Sequence, residues 1–256
     1  MSLNMRSLLV WGMLAGLLGG ILAFGFAAAF GEPPVEVAIS LEEQAGGHDH
    51  AAEEGAAEEE EELVTRGVQR TFGLAVATCA FGTALGGLFA LAFAFAYGRI
   101  GPLAPRASAL VVAGLGFLTV AFVPFLVYPP NPPAVGRPET IGDRTATYFA
   151  MVALSIVLAV AAIYAYRALV ERIGWLSVVV AGIGYVVAVS VVAMLLPTFS
   201  EVPEGFPAQT LWEFRLASLG TQAVLWATIG VAFAVLLERS LHRATNRTMD
   251  AGLAAG

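Results

Sequence analysis

Apolar residues run in long uninterrupted blocks along this chain, and polar residues collect between the blocks. Six windows contain no Asp, Glu, Lys, Arg or His: Leu8–Phe30, Phe72–Tyr97, Ala107–Tyr128, Ala146–Tyr166, Trp175–Leu196 and Leu216–Leu237. Each supplies the roughly 20 apolar residues that a helix needs to cross a hydrocarbon core of about 30 Å. A membrane β-barrel would show short alternating segments instead. The pattern predicts an all-α integral membrane protein with six transmembrane helices.

The chain then divides into an N-terminal tail and first span (1–30), an acidic, His-containing loop (31–71), two spans (72–128), a Pro-rich loop (129–145), two more spans (146–196), a second Pro-containing loop (197–215), a sixth span (216–237) and a tail (238–256). The short basic start before the first window and the small residues Ala27, Ala28 and Ala29 also fit a cleaved leader. The apolar stretch is longer than a leader core of about 7–15 residues, which favours a retained first span.

Composition agrees. The chain is 58% hydrophobic and only 13% charged, about half the charged fraction of a soluble domain. All 13 basic residues are Arg. They set orientation, because cytoplasmic loops collect positive charge. Arg6, Arg99, Arg106, Arg167, Arg172, Arg239, Arg243 and Arg247 lie at one set of ends, and Arg66, Arg70, Arg137, Arg144 and Arg215 at the other. The larger group predicts a multi-pass plasma-membrane protein with both termini cytoplasmic. The single cysteine, Cys79, lies within the second window and excludes an intrachain disulfide.

Arg70, Arg144 and Arg215 each open an even-numbered span, at spacings that suggest three helical hairpins descended from one unit. The other reading is that Arg simply marks helix ends. A cation at a helix N-terminus opposes the helix dipole, and the expected compensation is a neighbouring carboxylate such as Asp143 or Glu213. Glycines recur every fourth residue at Gly12, Gly16 and Gly20 and again at Gly82 and Gly86. That spacing lets helix backbones approach closely.

The uncharged windows restrict the chemistry. Proton relays and intramembrane catalytic centres are built from ionisable groups held inside the spans, and a haem needs axial ligands that these spans do not supply. No nucleophile and base pair is apparent, so no enzyme activity, no catalytic residue and no tightly bound cofactor are expected. The net charge of −7 gives no footprint for nucleic acid; the partner that composition implies is the lipid bilayer.

Polar chemistry is therefore confined to the loops. Twelve of the 20 acidic residues lie between Glu32 and Glu62, together with two of the three histidines. Imidazole is a preferred donor for cobalt, nickel, copper and zinc, which makes His48, Asp49, His50, Glu53 and Glu54 a candidate exchangeable metal-capture set. The run Glu58–Glu62 equally suits a solvated acidic linker. In the two Pro-rich loops, stiff backbone would fix Glu139, Asp143, Arg144, Glu201, Glu204, Glu213 and Arg215 as an outer vestibule, or as ordinary salt-bridged connectors.

The stretches "FVPFLVYPPNPPAVGRPETIGDRTATYF" and "EVPEGFPAQTLWEFRLASLGTQ" resemble the two signature loops of the CbtA family of cobalt transporter subunits. The order of elements is similar too, through nearly the whole chain. The resemblance implies a membrane permease-type subunit for uptake of a divalent transition metal, most simply cobalt(II) for cobalamin synthesis. It also implies a small one-span companion, CbtB, with histidines of its own. The family's His-rich loop corresponds here to His48 and His50 alone. An alternative from a different class is a non-transporting membrane scaffold for a partner complex.

Overall fold

The computed structural model describes residues 4–49 and 65–254. The described residues hold helices and connecting turns, with no strand among them. Six helical stretches are long and apolar enough to cross a membrane: Met5–Gln44, Arg66–Ala96, Pro105–Val127, Pro138–Ile173, Leu176–Leu195 and Ala208–His242. The fold class expected from the apolar windows is the one observed.

The helices outrun their apolar windows. Helix α1 (Met5–Phe26) continues through a π-helical turn at Ala27–Gly31 into α2 (Glu32–Asp49). Residues from Gly31 onward were expected to form a loop, as the acidic segment between two apolar windows; the segment also holds Pro33 and Pro34, which lack the N–H groups a helix interior uses. A π-turn absorbs one extra residue and loosens the hydrogen-bond ladder; here it falls immediately before the two prolines. The same device recurs between α5 (Pro105–Gly116) and α6 (Val123–Val127), where the π-turn Phe117–Phe122 precedes Pro124. The second stretch comprises α3 (Arg66–Val68), a π-turn at Gln69–Gly73 and α4 (Leu74–Ala96). The rest are α7 (Ile141–Ile173), α8 (Leu176–Leu195) and α9 (Ala208–Ala254).

The chain forms two compact units. One draws on residues 1–23, 77–118 and 223–256. Its core is backbone against backbone: a Cβ on Gly12 or Gly16 of α1 would overlap the carbonyl oxygens of Gly86 or Gly82 of α4, and one on Gly20 would lie 2.5 Å from the Thr78 oxygen. Beside this seam Phe233 of α9 stacks edge-on against Phe89 and Phe93, at 5.1 and 5.0 Å between ring centroids. Phe93 and Phe233 are fully buried.

The second unit draws on residues 24–76 and 119–222. Here α7 packs along α8 after a tight turn at Gly174, whose φ of 56° lies in the left-handed region that glycine adopts without cost. The Ser155 and Tyr185 hydroxyls meet across that pair at 2.8 Å. The unit also contains both Pro-rich loops.

Candidate functional site

Prolines at 129, 130, 132 and 133 stop α6 and leave backbone carbonyls free, since no helix can use them. Side chains from elsewhere take them up. The Tyr128 hydroxyl donates to the Pro197 carbonyl at 2.7 Å, which ties the first Pro-rich loop to the second. Arg215 of α9 donates from Nε to the Pro130 carbonyl at 3.3 Å and from Nη2 to Asn131 Oδ1 at 2.9 Å.

Glu201 is the other tie. Its Oε2 accepts the Arg137 backbone N–H at 3.1 Å and pairs with Arg144 Nη1 at 2.9 Å, while its Oε1 accepts the Thr140 hydroxyl at 2.5 Å. The side chain is only 6% exposed. A carboxylate held by this many donors is favoured in its charged form. The Thr140 hydrogen bond, then the Arg137 N–H and the Arg144 and Arg137 charges, hold it below the ordinary carboxylate value, outweighing the opposing effect of burial. Gly136, at φ 129°, lets the Arg144 guanidinium lie against the loop; a Cβ there would sit 2.7 Å from Nη1.

Two clefts open beside these ties. The larger, about 680 Å³, is lined by Leu41 and Glu42 of α2, by residues 134–138 with Ile141 and Arg144, and by the second loop from Pro203 to Pro207, Glu204 included. The smaller, about 480 Å³, lies between Tyr128, Asn131, Arg144, Tyr148, Phe199 and Arg215 among others. Arg144 lines both.

The expected site residues fare differently. Arg144 and Glu201 are brought together, and Glu204 lines the same cleft as Arg144. Glu213 accepts a hydrogen bond from Gln209 one turn earlier, and the Asp143 carbonyl accepts the Thr147 hydroxyl. Glu139 lies in the short 3-10 turn Pro138–Thr140 that leads into α7. The expected compensation of Arg144 by Asp143 and of Arg215 by Glu213 is corrected by Glu201 and Asn131. Helix neighbours one or two positions apart point in different directions, whereas a loop folded over the helix end can meet the guanidinium head-on. His50, Glu53 and Glu54 lie outside the described residues, as do the side chains of His48 and Asp49, whose backbone ends α2. Among the described residues no three His, Cys, Asp or Glu side chains assemble to hold a metal ion.

A family model described as "Probable cobalt transporter subunit (CbtA)" matches residues 5–238, from the first turn of α1 to the end of the sixth apolar stretch. The chain belongs to the CbtA family. No curated protein and no solved structure gave a significant match. The CbtA description points to a cobalt transporter subunit, and the word subunit implies a partner. For a CbtA chain the ties just described fall in the two loops that carry the family resemblance.

Sequence reasoning missed several residues of these ties and clefts. Asn131, Arg137 and Thr140 complete the ties, and Glu42 reaches the larger cleft from α2. Asn131 carried a signal, being the one side-chain amide in a run of prolines. Two further ion pairs join α2 to the start of the second apolar stretch: Arg66 to Glu32 at 2.6 Å, and Arg70 to Glu36. Their signal was a spacing of four within each pair of like residues, which places each on one helix face.

Proposed function

We propose that this protein is the permease-type membrane subunit of an uptake system for a divalent transition metal, with cobalt(II) as its substrate and cobalamin synthesis as the consumer. Both termini are cytoplasmic in this reading, and the loops and helix ends carrying Glu42, Glu139, Asp143, Glu201, Glu204 and Glu213 face outward. His48, Asp49, His50, Glu53 and Glu54 collect the ion from outside on an exchangeable site. A small one-span companion with histidines of its own completes the system, and no catalytic step is involved.

The observation that carries the reading is the course of α2. It lines the larger cleft through Leu41 and Glu42, opposite Glu204, and its backbone continues as helix to His48 and Asp49. The start of the capture segment thereby lies on the same helix as Glu42, in a cleft whose lining includes two carboxylates, Glu42 and Glu204, outside the Arg144–Glu201 pair. Carboxylates complete a metal site with little selectivity, whereas imidazole selects for cobalt, nickel, copper or zinc. The uncharged spans leave passage to backbone carbonyls, hydroxyl groups or the companion.

Cobalt accumulation in cells that express the chain with and without the companion tests this reading. Substituting His48 and His50 together by Ala is expected to lower uptake at scarce cobalt and to leave it near normal when cobalt is abundant. Glu42→Gln with Glu204→Gln should lower it under both conditions. Uptake that the chain never raises, with or without the companion, removes the transport proposal in favour of a scaffold.

A further inference from the structure

The smaller cleft has the opposite chemistry from the larger one. None of its lining side chains is acidic; its polar members are two guanidinium groups, on Arg144 and Arg215, with the Asn131 amide and the Thr145, Tyr128 and Tyr148 hydroxyls. Arg144 is balanced by Glu201. Among the described residues Arg215 is not balanced in this way: the partners of its guanidinium are the Pro130 carbonyl and the Asn131 amide oxygen, both neutral, and the interaction is part-buried. Arg144 Nε–H, itself buried, has no acceptor among the described residues. The cleft thus carries one guanidinium, that of Arg215, with no carboxylate partner among the described residues.

A cation removed from water without a counter-charge is costly, and the cost falls when an anion joins it. Divalent metal ions are repelled here, so this cleft is not part of the route assigned above. A planar guanidinium fork matches the oxygens of phosphate or carboxylate. The location selects the source. Arg144 and Arg215 immediately precede the fourth and sixth apolar windows, and Tyr128 ends the third, which is headgroup depth in a bilayer. Phe149 and Ile141, both on the cleft wall, are 63% and 54% exposed. The cleft thus offers exposed apolar wall beside its guanidinium groups, the pairing an acyl chain and its headgroup require.

We infer that the cleft between Arg144 and Arg215 binds the phosphate of an anionic phospholipid, with Arg215 as the charge-bearing residue and Asn131 fixing its orientation. The lipid tethers the two Pro-rich loops at the membrane surface from the side opposite to Glu201.

The test uses the full chain purified in a neutral detergent, its thermal unfolding followed as phosphatidylglycerol, phosphatidylcholine or inorganic phosphate is added. Phosphatidylglycerol should raise the unfolding temperature saturably, and phosphatidylcholine should not. Arg215→Gln should weaken the apparent phosphatidylglycerol affinity about tenfold, the size expected for loss of a charge-assisted hydrogen bond. Arg172→Gln, at an exposed arginine elsewhere, should leave it unchanged. Arg215→Lys, which keeps the charge and loses the fork, should fall between wild type and Arg215→Gln; it also serves if the Gln variant does not fold. Equal stabilisation by the two lipids overturns the site, and so does equal weakening by Arg172→Gln and Arg215→Gln. Stabilisation by inorganic phosphate as strong as by phosphatidylglycerol overturns the lipid as its occupant.

Discussion

Two helix pairs show two ways of holding apolar helices together. Between α1 and α4 backbone meets backbone, with Gly12 and Gly16 against Gly86 and Gly82 and only the small Ala90 side chain close to Gly12. Lipid tails are as apolar as leucine, so burial of apolar surface drives little association in a membrane and close packing has to supply it. Between α7 and α8 the buried side chains of α8 are Ser177 and Ala181, with the Ser155–Tyr185 hydrogen bond as the polar contact. Val186, Val187 and Met194 remain exposed at 61%, 56% and 84%. The first pair has a single solution, because a backbone surface cannot repack. The second leaves most of one helix to whatever surrounds it.

The strongest way to break this comparison is to add volume to each pair. Gly16→Val forces two branches into the Gly82 carbonyl and the Gly86 Cα. The neighbours are backbone and cannot rotate aside, so a loss of about 3 kcal/mol or more, the upper range for overpacking, is expected. Around Gly182 of α8 the space is open, with nothing within 4 Å of where a Cβ would stand, and Gly182→Val should change stability by no more than about 0.5 kcal/mol. Unfolding in detergent, by heat or denaturant, measures both. Similar losses at the two positions would dissolve the distinction between the pairs.

A smaller effect concerns the loops of the second unit. Glu201 is held below the ordinary carboxylate value of 4.5, first by the Thr140 hydroxyl and then by the Arg137 N–H and the arginine charges. A lowered folded-state value means that the unfolded chain binds the proton more readily. The contribution of Glu201 is therefore fully present above the unfolded value and is lost as pH falls through the lowered folded one. Thermal unfolding scanned from about pH 6 to 3 should show this decline, and Glu201→Gln should flatten that part of the profile. Arg144→Gln should lower stability at neutral pH and leave part of the slope, since Thr140 and Arg137 still hold the carboxylate. Gly12, Gly16, Gly82 and Gly86 carry no charge, so the first unit's seam should contribute nothing to the slope.

These pairs also separate what the chain's pattern reveals from what it conceals. The six spans were legible because a length of uncharged residues is a one-dimensional property, and the α1–α4 seam was legible because a glycine every fourth residue marks one helix face. Helix ends were not. The first uncharged window ends at Phe30, which set the end of the first span, and the π-turn through which the helix continues leaves no mark in Ala27–Gly31. The partners of Arg144 and Arg215 were misplaced for a related reason. Asp143 and Glu213 are close in sequence but on other helix faces, whereas Glu201 and Asn131 are 57 and 84 positions away and are delivered by loop closure. Arg70 also finds a distant acid, Glu36, 34 positions earlier. The three arginines thus share a place at the start of a span and differ in what meets them. Of the candidate vestibule residues, Glu204 and Arg144 line the larger cleft, and Glu42, which lines it too, was hidden in a segment that reads as linker.

The smallest expected effect sharpens the comparison from the other side. Ser155 is fully buried, and its hydroxyl and that of Tyr185 are each other's polar partner across α7 and α8. Interhelical hydrogen bonds in membranes average about 0.6 kcal/mol, because the separated helices find other partners. The Ser155 hydroxyl has such an alternative in the carbonyl four residues back along its own helix, as the Ser190 hydroxyl uses that of Val186. A double-mutant cycle of Ser155→Ala and Tyr185→Phe should therefore give a coupling of roughly 0.6 kcal/mol. Each single change should leave the chain folded. A coupling of about 2 kcal/mol or more, beyond the largest such values seen between membrane helices, would make α7 and α8 as specifically joined as the glycine seam. The exposed face of α8 would then belong to a rigid hairpin, not to a helix whose position depends on its surroundings.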